Sequence, residues 1–453
     1  MPQLSQALET DFYQLTMAAA YFEAGVQSQA TFSLFCRELP PQRGYILAAG
    51  LEQALDFLEN FSFTPEDLAY LESLGRFKPE FLEHLSRLRF SGEVWAIPEG
   101  TVCFPQEPLL EVTAPILEAQ LVETHLINII NLHSMLASKA ARCQQAARGI
   151  SCVDFSLRRT QGMDAGFAAA RSSAIAGFAG TSNVAASAQL GLAPIGTMAH
   201  SFVEAREDEM ESFRIFARCF PDHTVLLVDT YHVPTGMERA IQVAREMQEA
   251  GHKLLGVRVD SGDLAQASRL AREMLDQAGL KDALVVVSGS LDEFAIDDLL
   301  ERGAAVDSFG VGTKMGNSAD APYFDFIYKM VSYQDRPTLK LSPGKETWTA
   351  PKQVWRRLDG QGVIAGDTLG LRGEELTGQP LLQPVMRGGR RLEPEPGWRR
   401  AQERFRQQVA TLPERCRRLR DPEPLAVEIS PGLKALQDKV IQSVRSNNHG
   451  SDD

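Results

Sequence analysis

Residues 253–290 read KLLGVRVDSGDLAQASRLAREMLDQAGLKDALVVVSGS. Two near-continuous apolar runs, KLLGVRVD and ALVVVSGS, flank a segment over 263–278 with helical character. Apolar strands joined through a helix predict parallel β/α units. Polar residues close each run: Arg258 and Asp260 in the first, Ser288, Gly289 and Ser290 in the second. Arg258 and Asp260 stand two residues apart, so on a strand they share a face. A cation beside a carboxylate fits a ligand with both an anionic group and hydroxyls.

The rhythm continues on both sides. The runs ISCVDF, LAPIGT, TVLLVDTY and AVDSFGVGT all read as strands, and 236–249 and 291–302 read as further helices. Polar residues collect at the strand C-terminal ends: Asp154, Thr197 with His200, Asp229, Asp260, Ser288 and Thr313. This is the pattern of a β/α barrel whose active site lies on that face; a doubly wound open sheet is the alternative. Before the barrel, Thr10 or Asp11 caps a helix, 30–36 is a strand, and Pro65 starts a helical region over 64–90. Short strands over 92–112 lead to one long helix, 116–147, ended by Gly149. Residues 337–356 read as a hairpin. The expected domains are 1–125 (N-terminal α/β), 126–336 (barrel), 337–445 (returning to the N-terminal domain) and a disordered tail, 446–453.

Composition excludes several classes. A net charge of −13 disfavours nonspecific binding to nucleic acid or to anionic membrane. Six scattered cysteines form no CxxC pair, and the start MPQLSQALETDFYQ has no signal-peptide pattern, so a reducing cytoplasm is expected. The 28 uncharged residues from Ser172 to Ala199 are interrupted throughout by Ser, Thr, Asn, Gln, Gly and Pro, which does not make a membrane span. Eleven arginines fall within 387–420, where a solvated helical surface with Glu393, Glu395, Glu403 and Glu414 as partners accounts for them.

The neutral segment has Arg158 and Arg159 before it and His200 after it, which suits an anion-binding pocket with chemistry at one end. Gly310-Val311-Gly312-Thr313-Lys314-Met315-Gly316 misses a dinucleotide fingerprint because its third glycine comes one place late. As a strand-to-loop turn it still suits one phosphate, as does Ser288-Gly289-Ser290. Asp260, and Asp229 with the same strand-end placement, can accept from a ribose diol or help hold Mg2+. His232 is a weaker candidate, and the remaining histidines read as structural.

The ordered set TDFYQLTM, FCRELP, DFSLRR, GFAGTSN, GTMAHSF, VDTYHV, GVRVDSGDL, SGSLDE, FGVGTKM and KQVWR, over residues 10–356, resembles nicotinate phosphoribosyltransferase. The resemblance implies an irregular β/α barrel of the type II phosphoribosyltransferase kind, an additional α/β sandwich domain, and a homodimer with shared active sites. It implies synthesis of nicotinate mononucleotide and diphosphate from nicotinate and 5-phosphoribosyl 1-diphosphate, coupled to ATP hydrolysis through a phosphohistidine, in NAD salvage. By the same resemblance His200 is the phosphorylated residue, Phe155 stacks on the pyridine, and Tyr13 covers its other face from the neighbouring subunit. Thr197 and Arg258 contact nicotinate; Arg37 and Arg158 bind diphosphate; Asp260 and Asp229 handle ribose hydroxyls and Mg2+. Ser288, Gly289, Ser290, Gly310, Gly312 and Thr313 match the 5-phosphate loops.

Ser182 stands where nicotinamide-specific relatives carry an aspartate. A carboxylate there would repel a nicotinate carboxylate by about 4 kcal/mol at ~4 Å and an effective dielectric of 20. Ser182 therefore favours nicotinate. Only Cys416 lies beyond Cys219, so no zinc module is expected. The alternatives are a nicotinamide or quinolinate phosphoribosyltransferase, or a noncatalytic metabolite-binding relative.

Overall fold

The computed structural model describes residues 4–341, 347–393 and 397–449. The chain divides into two compact units, Leu136–Pro322 and Met1–Met135 with Tyr323–Asp453.

In the Leu136–Pro322 unit six parallel strands run in the order Gly180–Thr181, Ser151–Asp154, Ser308–Val311, Leu284–Ser288, Gly256–Val259, Val225–Leu227. Val257, Val259, Val285, Val287, Phe309 and Val311 are fully buried, as expected of strands covered on both faces. The helices Val233–Glu249, Leu264–Gln277 and Glu293–Glu301 follow the last strands. Asp263 and Asp292 cap two of them, accepting from the Gln266 and Ala295 N–H groups. The expected strand LAPIGT does not form. Pro194 makes only an isolated bridge to Thr181, and the chain from there to His200 runs as an irregular connector. Proline has no N–H to give a ladder. The ladder is therefore not hydrogen-bonded shut. Both of its edges, through Ser182 and Leu227, nonetheless face one cavity, so the sheet curls into an irregular, incompletely closed β/α barrel.

The other unit carries a seven-stranded antiparallel sheet, in which Gln29–Cys36 lies between Phe326–Tyr333 and Pro108–Pro115, and a four-stranded sheet built on Lys352–Leu358 and Ile364–Leu371. Phe32, Leu34, Phe57, Phe61, Phe81, Val112, Tyr328, Val354 and Leu433 belong to one core, so chain from both ends of the sequence builds it.

Five boundaries differ from the sequence expectation. The barrel unit begins at Leu136 rather than 126. The barrel ends at Pro322 rather than 336, because Phe326–Tyr333 pairs with Gln29–Cys36. The hairpin at 337–356 is replaced by two hairpins, 326–337 and 352–371, with residues 342–346 outside the described set. The first turns through Gln334 and Asp335, both at positive φ, which is the backbone a tight two-residue turn requires. The long helix breaks at Val122 into Ile116–Leu121 and Glu123–Ala146. The last helix, Pro431–His449, runs into the segment expected to be a disordered tail; residues 450–453 lie outside the described set.

The arginine-rich stretch pairs with acids, but not mainly the expected ones. Arg391 bonds Asp56 and Glu59, Arg406 bonds Glu403 and Arg418 reaches Glu423, while Glu395 lies outside the described residues. The helix Gly397–Thr411 buries Ala401 and Phe405 and leaves its other face solvated.

Candidate active site

The strand Ser151–Asp154 delivers Phe155 to the floor of a cavity of about 450 Å³. Asp154 fixes that delivery. Fully buried, it accepts from the Ser156 N–H at 2.9 Å and the Thr181 hydroxyl at 2.7 Å. Burial raises its pKa and these two bonds partly offset the rise. The same residue's carbonyl accepts the Ser182 N–H, which sets Ser182 at the rim. Phe155 lies against Gly310, where a Cβ would stand 2.5 Å from its Cε2. Any side chain there would lift the ring, so Gly310 is a seat for an aromatic rather than only a phosphate turn.

Over the ring sits Arg258, its guanidinium carbon 5.5 Å from the Phe155 centroid. Its Nε donates to Ser288 Oγ at 2.7 Å and its Nη2 to Asp260 Oδ1 at 2.8 Å. Its Nη1 reaches Thr197 Oγ1 at 3.1 Å and the Met198 carbonyl at 3.3 Å. Ser288 in turn donates to Asp260 Oδ1. Burial works to raise the Asp260 pKa, but the Ser288 bond and the Arg258 charge outweigh it and hold the carboxyl below its usual range. A guanidinium held this way is preorganised, which a lysine in its place could not be.

His200 opens the short helix His200–Glu204. Its Nδ1 lies 3.2 Å from Thr230 Oγ1 and its Nε2 3.9 Å from Asp260 Oδ2. Thr230 orients the ring, and with Nδ1 engaged the other nitrogen faces the cavity side of Asp260. Asp229 Oδ2 accepts from the Asp260 N–H at 2.8 Å and from Ser261 Oγ at 2.6 Å, while its buried Oδ1 has no partner among the described residues. Gly289 draws the next strand end in. Its φ is +108°, and a Cβ would meet the Asp260 carbonyl at 2.1 Å.

Phe155, Arg158, Ser182, Thr197, His200, Arg258 and Asp260 thus line one cavity. Arg158 is exposed and makes no ion pair among the described residues, a cation that can meet an anion. Ser288 and Asp229 stand directly behind, bonded to Arg258 and Asp260. Ser290, Gly312 and Thr313 lie at the ends of neighbouring strands, outside the cavity lining. Tyr13 and Arg37 belong to the other unit. There, Tyr13 is half exposed with its hydroxyl accepting from Gln14 Nε2 at 2.8 Å, and Arg37 lies 3.7 Å from Asp325. His232, exposed at a helix start, bonds Thr235 and is not part of the cavity. Sequence reasoning missed Thr230, Met198 and Leu227. Thr230 lies within VDTYHV, one residue past Asp229, so its place at a strand end was the available signal.

Residues 150–334, which contain all six barrel strands, match the Nicotinate phosphoribosyltransferase (NAPRTase) family. Residues 8–131 match that family's N-terminal domain and residues 374–437 its C-terminal domain. The protein is an α/β enzyme of the phosphoribosyltransferase class. It is similar to nicotinate phosphoribosyltransferase pncB2 of Mycobacterium tuberculosis, with 48% identity over 92% of this chain and 89% of that one. With the nicotinate phosphoribosyltransferase of Bacillus subtilis it shares 40% identity over 84% and 79% of the two chains. The crystal structure of human nicotinic acid phosphoribosyltransferase superposes with a TM-score of 0.86 at 30% identity, covering 95% and 99%. The chain belongs to the nicotinate phosphoribosyltransferase family. Among the described residues no helix is long and apolar enough to cross a membrane.

Proposed function

We propose that the chain is a cytoplasmic, homodimeric nicotinate phosphoribosyltransferase, making nicotinate mononucleotide and diphosphate from nicotinate and 5-phosphoribosyl 1-diphosphate for NAD synthesis. The carrying observation is the pairing of a fixed guanidinium with an aromatic floor. A pyridine stacked on Phe155 would present its carboxylate to Arg258 and Thr197. The lining supports the acid over the amide, because its one carboxylate, Asp260, is already engaged by Arg258, and Ser182 offers a neutral hydroxyl.

The pyridine nitrogen attacks the anomeric carbon as the bond to diphosphate breaks, and the electron pair leaves with the diphosphate oxygen. The nitrogen is already nucleophilic, so no general base is required. Positive charge develops on the ribose. Asp260 is suited to a ribose hydroxyl, and Arg158, with Arg37 in this reading, to the departing diphosphate.

A divalent cation fits a sparse donor set. Among the described residues no group of three His, Cys, Asp or Glu could hold a metal, but Asp229 Oδ1 is buried and unpartnered. Mg2+ is commonly held by one or two carboxylates together with substrate phosphates, and Asp229 and Asp260 would serve. Bound there, it would neutralise charge on the diphosphate.

ATP enters through His200. Its Nε2 attacks the γ-phosphoryl group, forming an N–P bond as the P–O bond to ADP breaks, and water later releases phosphate. The decisive assay measures the mononucleotide formed from each base (nicotinate mononucleotide from nicotinate, nicotinamide mononucleotide from nicotinamide, nicotinate mononucleotide plus CO2 from quinolinate), with ATP omitted and restored. Nicotinate should be preferred, and ATP should stimulate the wild type. His200→Ala should lose the stimulation and keep the basal transfer. Equal stimulation in that variant overturns the phosphohistidine, and preference for another base overturns the substrate.

A further inference from the structure

The two glycine turns end neighbouring parallel strands, Leu284–Ser288 and Ser308–Val311, and a side-chain bridge ties them together. Lys314, one residue past Thr313, places Nζ 2.8 Å from Asp292 Oδ2, two residues past Ser290. The other carboxylate oxygen of Asp292 accepts the Ala295 N–H at 2.8 Å, so the same residue caps the helix Glu293–Glu301. Asp292 is mostly buried, its side chain 13% exposed, and Lys314 is 43% exposed.

The bridge is anchored from behind. Glu293, fully buried, accepts from Lys139 Nζ and from Arg142 Nε at 2.8 Å. Lys139 also reaches Asp320 at 2.6 Å. Three cations thus face three carboxylates, and the helix start after Ser290 has no slack in that direction. Lys314 is the part of this cluster that reaches across to the second turn.

We propose that Lys314 and Asp292 are positioning residues that lock the two turns at one separation, so that they grip the 5-phosphate of phosphoribosyl diphosphate together. Neither residue lines the cavity, and the pair acts through Ser290 and Thr313. The inference rests on the function proposed above. A turn displaced by an ångström would cost affinity for the sugar phosphate while leaving the Phe155–Arg258 pyridine site in place.

The test compares kcat and both KM values for the wild type, Lys314→Met, Asp292→Asn, their double variant and Lys314→Arg. Asn keeps an oxygen for the Ala295 N–H, so the helix cap survives. Each single variant should raise KM for phosphoribosyl diphosphate about tenfold, the scale seen when supporting contacts are removed. KM for nicotinate should hold, the double variant should be no worse than either single, and Lys314→Arg should recover most of the loss. Unchanged KM in both singles, even with a lowered melting temperature, overturns the proposal. A rise confined to Lys314→Met also overturns it, since that marks a direct phosphate contact. Calorimetric binding of phosphoribosyl diphosphate gives the same comparison without turnover. A wild type that binds it yet does not use nicotinate refutes the function reading and leaves the lock to be judged on the dissociation constants; a wild type that does not bind it refutes both.

Discussion

Arg258→Met should remove nearly all nicotinate turnover from a chain that still folds. The side chain makes donor contacts to Ser288, Thr197, Met198 and Asp260 and lies over Phe155. A methionine fills similar volume but loses every polar contact, and the substrate carboxylate would keep only the Thr197 hydroxyl in place of the guanidinium above Phe155. Truncating one side of a hydrogen-bonded charge pair costs about 2–5 kcal/mol. At about 1.4 kcal/mol per decade, that is roughly 30- to 4,000-fold in kcat/KM. Asp260 keeps Ser288 and its backbone bond to Asp229, which is why the strand end should survive. Arg258→Lys sharpens the result. An ammonium restores the charge but not the planar fork, so recovery should be partial at best. Far-UV circular dichroism and the melting temperature establish folding, and steady-state kinetics give the loss. A kcat/KM for nicotinate within a few-fold of wild type would remove Arg258 from the site.

Much of this site could be read before any coordinates, for a local reason. A parallel strand buried on both faces has to be apolar, so its polar residues gather where it ends. KLLGVRVD, ALVVVSGS and ISCVDF each announce a strand and its functional tip in the same few residues. LAPIGT failed because proline and glycine break a ladder that its leucine and isoleucine seemed to promise. The roles of the glycines were legible only in part. That Gly310 is required by the Phe155 ring, and Gly289 by the Asp260 carbonyl, depends on which strands are neighbours, and no spacing within either motif states it. Thr230 was hidden in the same way, since its partner His200 is thirty positions away. The boundary at Pro322 was missed because nothing local in Phe326–Tyr333 shows that its antiparallel partner is Gln29–Cys36, about three hundred positions earlier.

Lys139→Met should destabilise the barrel unit severely, and a second substitution should repair much of the damage. Lys139 is 1% exposed and Glu293 0%, with Arg142 at 5%. Nothing in the sequence around SKAARCQQA marks these cations as buried; they look like one turn of a solvated helix. Breaking a buried pair by removing one partner costs about 3–5 kcal/mol, because the other charge stays out of water without compensation. At about 2–4 °C per kcal/mol for a domain of this size, the melting temperature of the transition should fall by roughly 6–20 °C. Arg142 still bonds Glu293 Oε1, which places the expectation at the lower end. Asp292 next door is also held ionised: burial opposes it, but Lys314 and the Ala295 N–H lower its pKa. A lowered carboxyl pKa stabilises the fold above about pH 3.9, the usual aspartate value, and the benefit is lost as pH falls through the native value. Acid unfolding should therefore report on this cluster too. Adding Glu293→Gln to Lys139→Met removes the stranded charge and keeps an oxygen for Arg142. The double variant should melt above the single one, the opposite of what two independent losses would give. A double variant that melts at the sum of the two separate losses would mean that Lys139 and Glu293 contribute independently, and that the helix start behind Ser290 is fixed by packing instead of charge.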